Sequence, residues 1–408
     1  MSTAVVVSGI GVISPHGDDA QAMFAALLRG ESAVRQVFPE LPRPAAAAVA
    51  AFDQARWFTK LQLAGVDRVS QIAVAAADLA LRDAGLGRGD ALGAEPERVG
   101  VYAGCGMGGA TALDTAYQAG AAGGRVPPLT IPAFMPNAPA AHVAMRHGVK
   151  GPVLTYSVAC ASAAVAIAEA AKAIRAGEVD VAIAGGSEAL IVPGVVVAWQ
   201  AMQTLATFAP GEAATCCRPF AAERSGFVLG EGAAFLVLES ASHARARGAR
   251  AHATLAGTGL SCDATHLTKP DAPGQGRALR AALAQAGLQP ADVGYCNAHG
   301  TATKVGDLVE AEALRAVWGE AIDGLRVSST KALHGHLLGA TGALEAAITV
   351  LALEHAALPP NAHVAQPDPA CGLHLVGARG EAAPCLRAAI SNSFAFGGTN
   401  SVLLFTRD

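Results

Sequence analysis

Short apolar stretches alternate with longer, alanine-rich stretches of periodic polarity along the whole chain. Residues 4–13, AVVVSGIGVI, read as a strand that ends in a Gly-x-Gly turn. Residues 69–86, VSQIAVAAADLALRDAGL, place apolar side chains at helical spacing and run into Gly85. They predict an amphipathic helix that stops there. Strands are predicted at 98–106 (RVGVYAGCG), at 180–190 (DVAIAGGSEAL, ending in glycines) and at 233–241 (AAFLVLESA). After about residue 250 the rhythm starts again. AHATLAGTGLSC (251–262) repeats the first strand and its turn in type, GQGRALRAALAQAGL (274–288) repeats the helix, and VGYCNAHGTAT (293–303) is a strand followed by a loop. The repetition suggests an internal duplication, with halves at 1–250 and 251–408. Alternating strands and helices argue for an α/β fold whose sheets are covered by helices. The Pro/Gly-rich parts at 127–139 and 359–370 read as ordered loops.

Composition narrows the class. Of 408 residues, 52% are hydrophobic and only 15% charged, which implies a large buried fraction and apolar surface that a second subunit covers. A net charge of −4, with basic clusters no longer than RARGAR (245–250), argues against a nucleic-acid partner. The eight cysteines include no C-x-x-C pair and are too sparse for a disulfide scaffold, so reduced thiols in a cytoplasm are expected. The opening MSTAVVVSGIGVISPHG has no positive n-region and reads as the first strand and turn, not a signal peptide. Residues 189–211 carry no charge, but Pro193, Gly194, Gln200, Gln203 and Pro210 favour a buried or interface helix over a membrane span.

Four stretches carry candidate chemistry. In TYSVACASAAVAIAEAAKAIRAGEVD (155–180), Cys160 stands where a β-prone segment turns into a helix. A helix N-terminus favours a thiolate and offers a backbone N–H to an oxyanion, yet a free cysteine is also a common core residue. In CNAHGTATKVGDLVE (296–310), His299 opens a loop in which Thr301 and Thr303 put hydroxyls on one side of an extended segment; a capped turn with a satisfied histidine fits as well. In SSTKALHGHLLGATGALEAA (328–347), Lys331, His334 and His336 lie close together before an alanine-rich helix. There, an extended chain would point the two histidines opposite ways, and Lys331 and Glu345 could equally be surface charges. In ISNSFAFGGTNSVLLF (390–405), Gly397 and Gly398 permit backbone shapes that turn N–H groups inward beside Phe394 and Phe396, or the stretch is a hairpin with aromatic core residues. A cysteine, two histidines and a lysine on separate loops point to covalent acyl chemistry with carbonyl polarisation.

Together these stretches resemble the elongating β-ketoacyl-acyl-carrier-protein synthases of the thiolase-like superfamily. The match runs through ACASA (159–163), NAHGTAT with Asp307 and Glu310, Ser329–Lys331 with Gly335–Glu345, NSFAFGGTN (392–400) and RPFAAERSGFVLGEGAAFLVLE (218–239). The resemblance implies a duplicated thiolase-like fold of five layers, αβαβα, and a Cys-His-His centre of Cys160, His299 and His336. It implies that Cys160 takes up an acyl chain and that the two histidines polarise a malonyl thioester through its decarboxylation. The N–H groups of Cys160 and Phe396 would hold the oxyanion, with Phe394, Phe396 and Gly397 at the gate. Thr301 and Thr303 would bind the pantetheine arm, and Met107 and Phe227 would border the acyl tunnel. Lys331 would act electrostatically, paired with Glu310, with Asp307 and Glu345 in support. No metal or organic cofactor is implied. The implied partners are an acyl carrier protein and a second copy of the chain, or a chain-length subunit. Both fatty-acid elongation and a specialised type II polyketide or aryl-polyene pathway stay open. A non-catalytic chain-length subunit would lack the nucleophile, and a degradative thiolase would carry a second cysteine near the C-terminus. The chain departs from the family pattern at Ala395, which stands for a glycine, and at Ala221 and Ser225, which stand for aspartates. Basic residues for carrier docking are sparse at 60–71 and 204–217.

Overall fold

A computed structural model describes residues 3–407; Met1, Ser2 and Asp408, assigned above to the outer ends of the two halves, lie outside the described residues. The first half builds strands β1 (Val5–Ile13), β2 (Val99–Gly104), β3 (Val153–Tyr156), β4 (Val181–Glu188) and β5 (Gly232–Ser240). The second builds β6 (Ala253–Cys262), β7 (Tyr295–Asn297), β8 (Arg326–Ser328), β9 (Ala388–Phe394) and β10 (Thr399–Thr406). Outward from β1 the order is β1-β5-β4-β2-β3, and outward from β6 it is β6-β10-β9-β7-β8, with a two-residue strand, His374–Leu375, added in parallel beyond β8. In both halves the first two pairings are antiparallel and the next two parallel. The same order with the same strand senses is the duplication expressed as topology. The halves meet where β1 pairs with β6 through Val6–Thr254 and Val7–Ala253.

Helices complete the layers. On one outer face lie α1 (Arg68–Asp83) and α2 (Ala138–His147); on the other lie α5 (Ala272–Ala286) and α6 (Lys304–Trp318). Between the sheets run α3 (Ser162–Arg175) and α7 (Thr341–His355), both packed on strands of the two halves. Every residue of α7 from Thr341 to Leu353 is buried. Small side chains make this possible, since Gly342 meets Ala164 so closely that an added Cβ would stand 2.8 Å from its Cβ. The five-layered αβαβα architecture is the thiolase-like one.

Glycines correct part of the sequence reading. Gly9 and Gly11 do not form a turn; β1 runs through them to Ile13. A Cβ on either would overlap a backbone carbonyl of α1, that of Ala80 or Ala76. Gly257 and Gly259 in β6 do the same against Ala282 and Ala278 of α5. Gly185 and Gly186 likewise lie inside β4, pressed on Ala234 and Gly104. These glycines let a helix or neighbouring strand approach closely, a role that sequence cannot separate from punctuation. The uncharged stretch 189–211 forms α4 (Pro193–Ala201) and then turns. Among the described residues no helix is long and apolar enough to cross a membrane.

Candidate active site

The site forms at the C-terminal ends of the parallel strands, where the two central helices begin. Cys160 follows β3 in a short 3-10 turn, Ala159–Ala161, that leads into α3. Ala159 holds the left-handed conformation at φ 49°, an unfavourable one for a residue with a Cβ, and this bend presents the thiol. His336 holds the matching place in the second half, after β8 and before α7. Residues 331–334 are one helical turn, not extended chain. That turn sends His334 to Thr330 Oγ1 and Gly335 O, while His336 faces Cys160.

His336 Nε2 lies 3.1 Å from Cys160 Sγ. The Leu338 N–H, which can only donate, points to His336 Nδ1 at 3.3 Å, and the Thr341 hydroxyl lies 2.9 Å from the same nitrogen. Nδ1 is therefore an acceptor, and the neutral ring carries its proton on Nε2, toward the sulfur. The His299 ring stands edge-on, 5.5 Å from that of His336. The sulfur and one nitrogen of each ring all lie within 4.8 Å of one another. This is the one group of three close metal-type ligands among the described residues, and the same three atoms converge on the space beside the thiol. Burial, reinforced by the Lys331 charge, holds both imidazoles well below the usual range, so both are neutral.

The thiol departs from expectation. Burial pushes Cys160 up to about 12, outweighing the Lys331 charge and the backbone N–H groups of Phe396 and Cys160 that favour a thiolate. The resting group is a thiol, because the helix terminus lies in a buried site. The N–H groups of Cys160 and Phe396 nonetheless both act on the sulfur, which puts two donors where an oxyanion would form.

Lys331 is fully buried and is not paired with Glu310; its Nζ lies 2.6 Å from Glu345 Oε1. Glu310 instead accepts the N–H groups of His299 (2.8 Å) and Gly300 (2.7 Å) and the Asn392 amide (3.0 Å), which fixes the histidine loop to β9. Asp307 takes the Phe220 N–H at 2.7 Å and faces Arg224 at 3.8 Å, tying the 218–239 block to α6. Thr301 and Thr303 are 3.0 Å apart at their hydroxyls. The segment between them is bent rather than extended, since Ala302 has φ 61° and Thr303 caps α6 through Gly306 N.

A cavity of about 520 Å³ joins these residues. Cys160, His299, His336, Thr301, Thr303, Phe227, Phe394, Phe396 and Glu310 all border it. Met107 does not: Gly106 N and Met107 N are drawn onto the Glu188 carboxylate, and Met107 stays 44% exposed outside the cavity. Gly397 is also absent from the lining, although its N–H donates to Leu267 O at 2.7 Å and so ties the Phe396 loop to the mouth. Two contributors escaped the sequence reading. Trp199 borders the cavity, stacked on Phe396 and edge-on to Phe227. Glu188, fully buried, binds Gly106, Met107 and Gly339 and so fixes the turn after His336. A lone Trp in the uncharged stretch and an acid two residues after a pair of strand glycines were the available signals.

Comparison with known proteins matches residues 2–244 to the family described as Beta-ketoacyl synthase, N-terminal domain, and residues 252–365 to Beta-ketoacyl synthase, C-terminal domain. Nodulation protein E of Rhizobium meliloti is 42% identical over 99% of both chains. The 3-oxoacyl-[acyl-carrier-protein] synthase 2 of Staphylococcus aureus (strain N315) is 38% identical over 99% of this chain and 98% of its own. Among solved structures, a beta-ketoacyl synthase from Burkholderia phymatum STM815 superimposes with a TM-score of 0.90 at 35% identity over the whole of both chains. The ishigamide ketosynthase/chain length factor does so with the same TM-score at 32% identity, again over both whole chains.

Proposed function

The chain belongs to the beta-ketoacyl synthase family, and from that membership and its site we propose that it extends carrier-bound acyl chains by two carbons through a Cys160 thioester, as in fatty-acid elongation. The observation that carries this reading is the 3.1 Å contact of Cys160 Sγ with a neutral, Nε2-protonated His336 in a cavity also bordered by His299. In the first step the Cys160 sulfur attacks the acyl thioester. The new S–C bond replaces the bond to the carrier's thiol, which leaves with the proton. The Cys160 and Phe396 N–H groups hold the tetrahedral oxygen. A malonyl thioester then enters, and His299 and His336 donate to its carbonyl oxygen. The C–CO₂ bond breaks, and its electron pair becomes an enolate held by those two donors. The enolate carbon bonds the acyl carbon, the Cys160 sulfur departs and takes a proton from water, and a β-ketoacyl thioester leaves. Thr301 and Thr303 hold the pantetheine arm, Phe394, Phe396 and Gly397 form the gate, and Phe227 with Trp199 borders the acyl chain. Lys331 with Glu345 sets the local field, and Glu310 and Asp307 position the loops.

The partners on this reading are an acyl carrier protein and a second copy of the chain, joined along the unpaired edge of β3, where Val153 and Leu154 are exposed. The division into halves at residue 250 is supported by the repeated strand order on either side of it. All eight cysteines are free thiols, which supports a reducing cytoplasm. Because Cys160, His299 and His336 are all present, the chain would be the catalytic member of any pair formed with a chain-length subunit. The test is a condensation assay with acyl- and malonyl-carrier, the product being weighed. A β-ketoacyl carrier two carbons longer is expected, and His336→Ala should reduce its rate by about 100-fold or more. An unaltered rate in that variant would remove His336 from the chemistry.

A further inference from the structure

We propose that Lys269 and Lys304 form a phosphodiester receptor at the cavity mouth, taking the phosphate at the carrier end of the pantetheine arm. The inference rests on the carrier-dependent reading above and deepens it. Both lysines border the cavity that reaches Cys160, and both are exposed. Among the described residues neither makes an ion pair. The only carboxylates on the lining are Asp263 and Glu310, both buried and already engaged. Asp263 accepts the Asn400 amide and the Asp271 N–H, while Glu310 holds the histidine loop. Two positive charges at the mouth are thus left without an ion-pair partner.

Their placement follows the order of groups along the substrate. The reacting thioester lies at Cys160 and His336. Thr301 and Thr303 offer hydroxyls to the amides of the arm, and Lys304 is the next residue beyond that pair. Arg224 fixes this backbone, donating to Thr303 O at 3.0 Å and to Lys304 O at 2.8 Å. Lys269 approaches from the segment after β6, whose Leu267 carbonyl accepts the Gly397 N–H of the gate loop. A phosphodiester is a permanent anion at neutral pH, and an ammonium is a good point-charge partner for it. The receptor also supplies the positive charge that is sparse at 60–71 and 204–217.

Steady-state kinetics with three donors test this: carrier-bound, phosphopantetheine-bound and phosphate-free pantetheine thioesters. In the double variant Lys269→Gln/Lys304→Gln, kcat/KM for both phosphate-bearing donors should fall about tenfold, carried by KM, and less steeply with added salt than in the native enzyme. The phosphate-free donor should change less than about twofold. Equal losses with all three donors would overturn the proposal. A loss confined to the carrier-bound donor would also overturn it, assigning the lysines to the protein surface of the carrier. Failure of the underlying reading looks different, because then no donor, phosphate-free or otherwise, would acylate Cys160 in the native enzyme.

Discussion

His334 and His336 stand two residues apart, are both buried, and hold opposite tautomers. His334 faces the Gly335 carbonyl with Nδ1, which must carry the proton, and receives the Thr330 hydroxyl at Nε2. His336 accepts at Nδ1 and presents Nε2–H to Cys160. One ring braces the turn while the other reaches the thiol. Burial drives His334 down to about 3. The unfolded chain therefore takes up a proton below about pH 6.5 that the folded chain refuses, and the stability from keeping this ring neutral falls as the pH drops below 6.5. Between pH 6.5 and 5 the loss from this group is about 2 kcal/mol. Chemical denaturation of the native protein and His334→Asn at these two pH values should show the native losing more stability than the variant. Parallel losses would mean that His334 is protonated in the fold. The family motif singled out His336 in the sequence, but the separate bracing task of His334 became visible only with the helical turn at 331–334. The resting thiol and the Lys331–Glu345 pair were hidden for a related reason: burial and partner choice depend on what the distant chain encloses.

The elements of the two sheets show where pattern reading succeeds and where it stops. The helices at 68–83 and 272–286 were legible because apolar spacing and terminal glycines agree there. The glycines of β1 and β6 were misread as turns and those of β4 as a strand end, because close approach of a helix or strand leaves the same letter as a reversal of the chain. Gly259 separates the two meanings. A Cβ there would overlap the Ala278 carbonyl of α5, whereas a Cβ at Gly287 would meet nothing within 4 Å. Gly259→Ala should cost about 3 kcal/mol in urea unfolding through forced separation of β6 and α5. Gly287→Ala, which has only its φ of 69° to contend with, should cost about 1 kcal/mol. Equal effects would count against close packing as the purpose of the β6 glycines.

At the scale of the whole molecule, the duplication places Cys160 and His336 at matching points of the two halves, each between a parallel strand and a central helix. The cavity lies where those two helix starts meet, so neither half alone holds the site. Five separated motifs made this legible in the sequence. Met107 lies outside this cavity and Trp199 was not singled out, because the side chains that border a cavity are set by packing and not by proximity in the chain. β3 is an edge strand with exposed Val153 and Leu154, and the proposed second copy would join there. Light scattering on Leu154→Lys should report a monomer where the native protein gives a dimer. A variant that remains fully dimeric would place the interface elsewhere.

Intact-mass measurement after incubation with an acyl-carrier protein tests the central claim most directly. The native chain is expected to gain the mass of one acyl group, and Cys160→Ala to gain none. An adduct that persists in Cys160→Ala, or a native chain that never acquires one, would contradict the assignment of Cys160 as the acyl-bearing nucleophile.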